Sequence, residues 1–91
     1  MIILHSEIAA LVSMIDQHLS ARIVKAREEL GLSVTDLARK VDLSIQALTE
    51  IESGAVRISA ISIAKLSRAL RVSPRWFYHG LPGQDAFDQT G

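Results

Sequence analysis

Apolar residues at helical spacing, divided into short segments by serines and glycines, restrict the fold of this chain more than any other feature. In four successive segments the inward residues recur every three or four positions, which is the period of one helix face. These sets are Ile23, Ala26 and Leu30; Leu37, Ala38 and Val41; Ala47, Leu48 and Ile51; and Ile63, Leu66, Ser67 and Leu70. No segment alternates apolar and polar residues over the length of a strand. The pattern predicts short helices and no sheet.

Residues that begin and end helices stand between these sets. Gly31 can end the first helix, because glycine readily adopts the left-handed conformation found there. Three serines are placed to cap the helices that follow: Ser33, Ser44 and Ser59. Ser73 followed by Pro74 predicts a cap and a proline at the first helical position of a fifth helix, which we expect to reach about His79.

A further amphipathic stretch precedes these helices. Its apolar residues share one helix stripe: Leu4, Ile8, Leu11, Val12, Ile15 and Leu19. No Pro or Gly interrupts the stretch, so it can fuse with the next helix into one rod. It can lie over its own bundle or pair with a second chain, and we favour pairing because the other five helices already close a domain. We expect residues 1–18 to form this helix, residues 19–80 the bundle, and residues 81–91 a short flexible tail.

Composition argues against several classes of protein. The chain is 48% hydrophobic but only 4% aromatic, which predicts one small domain with an aliphatic core. It has no cysteine, no apolar run of membrane-spanning length and no basic leader, so we expect a cytoplasmic protein with no membrane partner. The three histidines are scattered, and neither a nucleophile elbow nor a phosphate-binding glycine loop is present. We expect no metal, no cofactor and no enzymatic activity.

The net charge of zero conceals an uneven distribution. All ten Lys and Arg residues lie between positions 22 and 75 together with six acids, so this middle region carries a net charge of +4. The other four acids lie outside it, two on each side. A mildly basic middle permits binding to nucleic acid without requiring it.

The two helices of residues 33–53 form the element with a predicted function. They are joined by Asp42, Leu43 and the capping Ser44, a turn short enough to set two helices at roughly 90–120°. Such a pair can place its second helix in the major groove of DNA. At about 100° per residue, the face opposite Leu48 and Ile51 consists of Ile45, Gln46, Thr49, Glu50 and Ser53.

The chemistry of that face suits base reading. Gln46 can bond adenine at both N6 and N7, Thr49 offers a hydroxyl and a methyl, and Ile45 can touch a thymine methyl. Glu50 can accept a hydrogen bond from a cytosine amino group, or it can simply repel phosphate.

These residues resemble the phage-repressor (Cro/repressor-like, XRE-like) helix-turn-helix family over about residues 19–80. The resemblance rests on residues 22–23, 30–33, 36–38, 41, 43–44, 48, 51–54 and 66–73. It implies a compact, all-α five-helix domain, here with an extra N-terminal amphipathic helix, that acts as a dimer on DNA to control transcription in a bacterium or phage. It places base reading at Ile45, Gln46, Thr49 and Glu50, phosphate contacts at Ser33, Val34, Thr35, Ser44, Ser53 and Arg57, and a structural ion pair between Arg27 and Glu52.

Three departures from the family pattern affect this expectation. Val34 stands where the family often has a phosphate-binding Gln, and Asp42 replaces the usual turn glycine. No Lys or Arg occurs between residues 43 and 56, although phosphate neutralisation supplies much of DNA affinity. We therefore expect a sequence-specific regulator that binds double-stranded DNA as a homodimer formed through its N-terminal helix. The alternative is a protein-interaction module, or an antitoxin-type regulator that binds a partner protein, with weak or no DNA binding.

Overall fold

Five helices account for the regular structure of the chain. The computed structural model describes residues 5–81, in which the helices are α1 (His5–Glu29), α2 (Val34–Lys40), α3 (Ile45–Ser53), α4 (Ala60–Leu70) and α5 (Pro74–Tyr78). No strand occurs in this part of the chain, so the predicted all-α, five-helix class is confirmed. The amphipathic stretch continues without a break into the first bundle helix as α1. Leu4 and nearly all of the expected tail, residues 82–91, lie outside the described residues.

The core is aliphatic apart from one phenyl ring. Residues from all five helices are buried in one cluster: Leu19, Ile23, Ala26, Leu37, Ala38, Val41, Leu48, Ile51, Ile63, Leu66, Leu70 and Phe77. Leu30 was expected on the inner face but is 43% exposed, because α1 ends at Glu29 and the chain turns away there. Within residues 5–81, no helix has the length and apolar character needed to cross a membrane.

Three of the predicted serine caps are present. The hydroxyls of Ser33, Ser44 and Ser59 each accept a hydrogen bond from the backbone amide three residues on, at 3.0–3.1 Å. Ser73 occupies the corresponding position before α5 but makes no side-chain cap bond, contrary to expectation. The Trp76 amide that such a cap would bind donates to the Ser73 carbonyl instead.

Helices α1, α2 and α4 all end in the same backbone motif. A residue at positive φ follows each helix, namely Gly31 (69°), Asp42 (57°) and Arg71 (60°). In each case the next amide donates to the carbonyl five residues earlier, at 2.9–3.1 Å, as in a Schellman motif. The sequence predicted this conformation at Gly31, and it places Asp42 where the family usually has a turn glycine. It gave no sign of it at Arg71, where the left-handed backbone strains a residue with a Cβ atom.

An ion pair joins the end of α1 to the end of α3. Arg27 Nε lies 2.8 Å from Glu52 Oε2 and Arg27 Nη2 lies 3.0 Å from Oε1, while Nη1 donates to the Leu32 carbonyl at 2.9 Å. The two side chains are only 14% and 10% exposed. The hydrogen bond to Glu52 raises the pKa of Arg27 above its usual value. The structure thus brings together the two residues for which an ion pair was expected.

Replacing Glu52 with Gln tests the contribution of this pair. We expect the free energy of unfolding to fall by about 2–3 kcal/mol, compared with about 3–5 kcal/mol for a fully buried pair, because Arg27 would keep its charge without a counter-charge. Urea unfolding followed by circular dichroism measures the change. Glu50→Gln is the matched control, because Glu50 is exposed on the same helix and its replacement should change stability by less than about 0.5 kcal/mol. Equal effects of the two substitutions would contradict the prediction.

Candidate nucleic-acid interface

The packing of α3 leaves one of its faces free. Leu48 and Ile51 are buried with the α2 residues Leu37 and Ala38, so the inner face of α3 is anchored in the core. At its C-terminal end, the Ser20 hydroxyl of α1 lies within hydrogen-bond distance of the Ile51 carbonyl. The helix is therefore fixed along its length, and its opposite face is presented to solvent.

All four predicted base-reading residues lie on that exposed face. Ile45 is 53% exposed, and the side chains of Gln46, Thr49 and Glu50 are exposed beside it. The Thr49 hydroxyl donates to the Ile45 carbonyl at 2.7 Å, which leaves its methyl group and acceptor lone pairs available. The Gln46 amide donates to the Glu50 carboxylate at 3.5 Å, a long bond that leaves Gln46 free to reorient. Their role in base reading stays a prediction.

The predicted phosphate-binding residues fall at three places along the chain. Ser33, Val34 and Thr35 are at the start of α2, Ser44 is at the start of α3, and Ser53 and Arg57 are at the end of α3 and in the segment after it. The Val34 side chain packs against the core, so a phosphate contact there would have to use its backbone. The Ser53 hydroxyl donates to the Glu50 carbonyl at 2.7 Å. Arg57 is the one cation in the set, and it is exposed.

A carboxylate already occupies the start of α2. Asp36 Oδ2 accepts from the Ser33 amide at 3.2 Å while the Asp36 amide donates to the Ser33 hydroxyl, forming a capping box. The bonds to the Ser33 side chain and backbone lower the pKa of Asp36, so the group is ionised at neutral pH. This negative charge lies next to Ser33 and Thr35. A phosphate that approached the start of α2 would therefore be repelled by the Asp36 carboxylate.

Sequence reasoning did not identify the contacts that attach α5 to α1. The Arg22 guanidinium lies 3.7 Å from the centre of the Trp76 ring and donates to the Trp76 carbonyl at 2.9 and 3.2 Å. One turn earlier, His18 Nε2 lies 2.7 Å from the His79 carbonyl. The spacing of four between these two residues places them on one face of α1, but their partners are more than 50 residues away. Arg22 therefore binds α5 and is not a free cation.

Between positions 5 and 81, no three His, Asp or Glu side chains lie close enough together to share a metal ion.

Comparison with known proteins identifies the family of the chain. Residues 23–77 match the family model described as helix-turn-helix. A solved structure, the restriction-modification controller protein C.AhdI from Aeromonas hydrophila, superposes with a TM-score of 0.64 at 30% identity. The superposition covers 77% of this chain and 98% of that one.

Curated relatives agree with that assignment. An uncharacterised helix-turn-helix-type transcriptional regulator of Sinorhizobium fredii is 31% identical over 64 residues, covering 70% of this chain and 45% of the relative. An uncharacterised transcriptional regulator in the ATPase CF(0) region of Rhodospirillum rubrum is 32% identical over 71 residues, covering 78% of this chain and 66% of the relative. The chain thus spans about half to two thirds of the length of these relatives. The resemblance read from the sequence is confirmed: the chain belongs to the XRE-like helix-turn-helix family of transcriptional regulators.

Proposed function

We propose that the chain is a sequence-specific DNA-binding regulator that places α3 in the major groove. The observation that carries this proposal is the exposed face of α3, on which Ile45, Gln46, Thr49 and Glu50 stand together while the opposite face is locked into the core. A short helix presented in this way, after a tight turn from α2, has the dimensions and exposure that the major groove accepts. The relatives, which are themselves described as transcriptional regulators, support the same function.

Gln46 and Thr49 are the central readers in this proposal. Gln46 lies in the first turn of α3, the part of a recognition helix that reaches base edges, and its amide can pair with adenine at N6 and N7. The remaining lone pairs and the methyl group of Thr49 suit an amino group or a thymine methyl. Glu50 acts mainly by repulsion, because its carboxylate, beside Gln46, disfavours any placement of α3 on the DNA that brings a phosphate close to it.

We further propose that the working form is a homodimer joined through the first half of α1. Apolar side chains of the stripe there remain in solvent: Ile8 is 46%, Leu11 53% and Ile15 39% exposed. The same stripe is buried only from Leu19 onwards, where α1 meets the other helices. A contiguous exposed apolar stripe is characteristic of an interaction surface. Doubling the reading element also offsets the shortage of cations on each copy.

One observation favours a protein-interaction module instead. Helix α3 carries no Lys or Arg, and the exposed Glu50 gives its outer face a negative charge. In that case the apolar stripe of α1 would contact a different protein, and substitutions on the outer face of α3 would have no effect on its activity.

The reading role of Gln46 can be tested without knowing the operator. Random duplexes enriched by binding to the wild-type chain define a preferred site, and fluorescence anisotropy compares that site with single-base variants. We expect Gln46→Ala to lose about 1–3 kcal/mol of discrimination, roughly 5- to 150-fold, at one base pair while binding to unrelated DNA changes little. Gln17→Ala, at an exposed glutamine of α1, is the matched control. Failure of the wild type to show salt-dependent DNA binding at micromolar concentration would overturn the proposed function.

The dimer is tested by placing a charge in the apolar stripe. Leu11→Asp should convert the chain to a monomer in sedimentation velocity and lower its DNA affinity at least tenfold, because a carboxylate buried in an apolar contact is strongly destabilising. Ala10→Asp adds the same charge at an exposed position outside the stripe and should leave the dimer intact. A wild-type chain that is monomeric at all concentrations, or one whose association survives Leu11→Asp, would contradict this interface.

A further inference from the structure

A strongly basic groove lies between the end of α2 and the second half of α4. Four cations line it, Lys40 from α2 and Lys65, Arg68 and Arg71 from α4 and its end, and Asp42 is the one acid among the lining residues. Lys65 and Arg68 lie one turn apart on α4, and Arg71 follows its last residue, so like charges that repel one another line one groove. None of the residues expected to contact DNA lines this groove. It therefore concentrates positive charge that the proposed reading surface does not use.

The backbone is left-handed at two positions of the groove, and both positions carry charged side chains. Asp42 and Arg71 are the only non-glycine residues between 5 and 81 with positive φ, at 57° and 60°, and both line the groove. Glycine adopts this conformation without strain and commonly occupies such helix ends. A strained residue kept where glycine would fit points to a function of its side chain. At position 71, that side chain is an arginine in a basic groove.

Phosphate suits the groove better than an acidic peptide does. The apolar residues that line it are Val41, which is buried, and Ala69, which is small and half-buried. A peptide site needs a pocket that seats a large anchoring side chain, and neither residue provides one. The phosphates of a duplex require only cations within reach, and α3 itself offers none. The cation-poor reading helix and the basic groove therefore complement each other.

We infer that this groove between α2 and α4 binds the sugar–phosphate backbone of DNA outside the stretch read by α3. The inference rests on the proposed function, and it adds that the groove supplies much of the affinity for DNA. The groove contributes charge without base contacts, so its effect is the same on every DNA sequence, whereas the effect of Gln46 is confined to one base pair.

Two glycine substitutions test the groove with matched backbone effects. Arg71→Gly and Asp42→Gly both relieve a left-handed residue, but they change the charge in opposite directions. For Arg71→Gly we expect an unchanged or higher Tm, weaker DNA binding, and a log–log salt slope that is shallower by about 0.9 for each bound protomer. For Asp42→Gly we expect an unchanged or higher Tm and tighter DNA binding. Lys25→Gln removes one exposed cation of α1 outside the groove and should leave the salt slope unchanged.

The outcomes separate this inference from the proposed function. A shallower slope in Arg71→Gly on both preferred and unrelated DNA, with base discrimination intact, would support the groove. The same slope as the wild type, with or without a loss of Tm, would overturn it while leaving the reading role of α3 in place. Binding of a fluorescent polyglutamate peptide that Arg71→Gly abolishes, with the DNA slope unchanged, would assign the groove to acidic proteins and also overturn it. Absence of DNA binding by the wild type would overturn both proposals.

Discussion

The bidentate contact between Arg27 and Glu52 sets the position of α3 relative to α1. It joins the last turn of one helix to the last turn of another, and the third bond of Arg27 holds the chain that leads from α1 into α2. The pair lies at the inner edge of both helices, where a single charge would be costly. Ser20 and the buried Ile51 attach the same end of α3 about two turns earlier along α1. The outer face of α3 depends on these attachments, because they fix the angle of the helix to the body of the domain.

Much of the architecture was predictable because it depends on local rules. The helical period identified the buried faces of α2 and α4, and the serines at 33, 44 and 59 cap helices where the chemistry of hydroxyl and amide requires it. Leu30 shows the limit of periodicity. It fits the inward spacing of the first helix, but the helix ends one residue before it. The spacing of apolar residues does not show at which residue the helix ends.

The contacts that escaped prediction are those between residues distant in sequence. Nothing near Arg22 or His18 indicates that Trp76 and His79 lie against them. The left-handed conformation of Arg71 is hidden for a different reason: arginine carries no preference for it, so tertiary packing and the 3.0 Å bond from Val72 to Ser67 must impose it.

The exposed face of α3 was predictable as a set of residues. The hydrogen bonds of Thr49 and Ser53 back to the helix were not, and they reduce the number of free donors on that face.

The continuity of α1 has a consequence for the spacing of any paired assembly. The helix runs for 25 residues, about 38 Å, and contains neither proline nor glycine. Its first half carries the exposed apolar stripe and its second half belongs to the core, so the two parts have no hinge between them. Two copies paired along the first half would hold their α3 helices at one fixed separation. Such an assembly would measure the distance between half-sites as strictly as it reads their bases, and a DNA site with one extra base pair between its halves would be rejected by geometry alone.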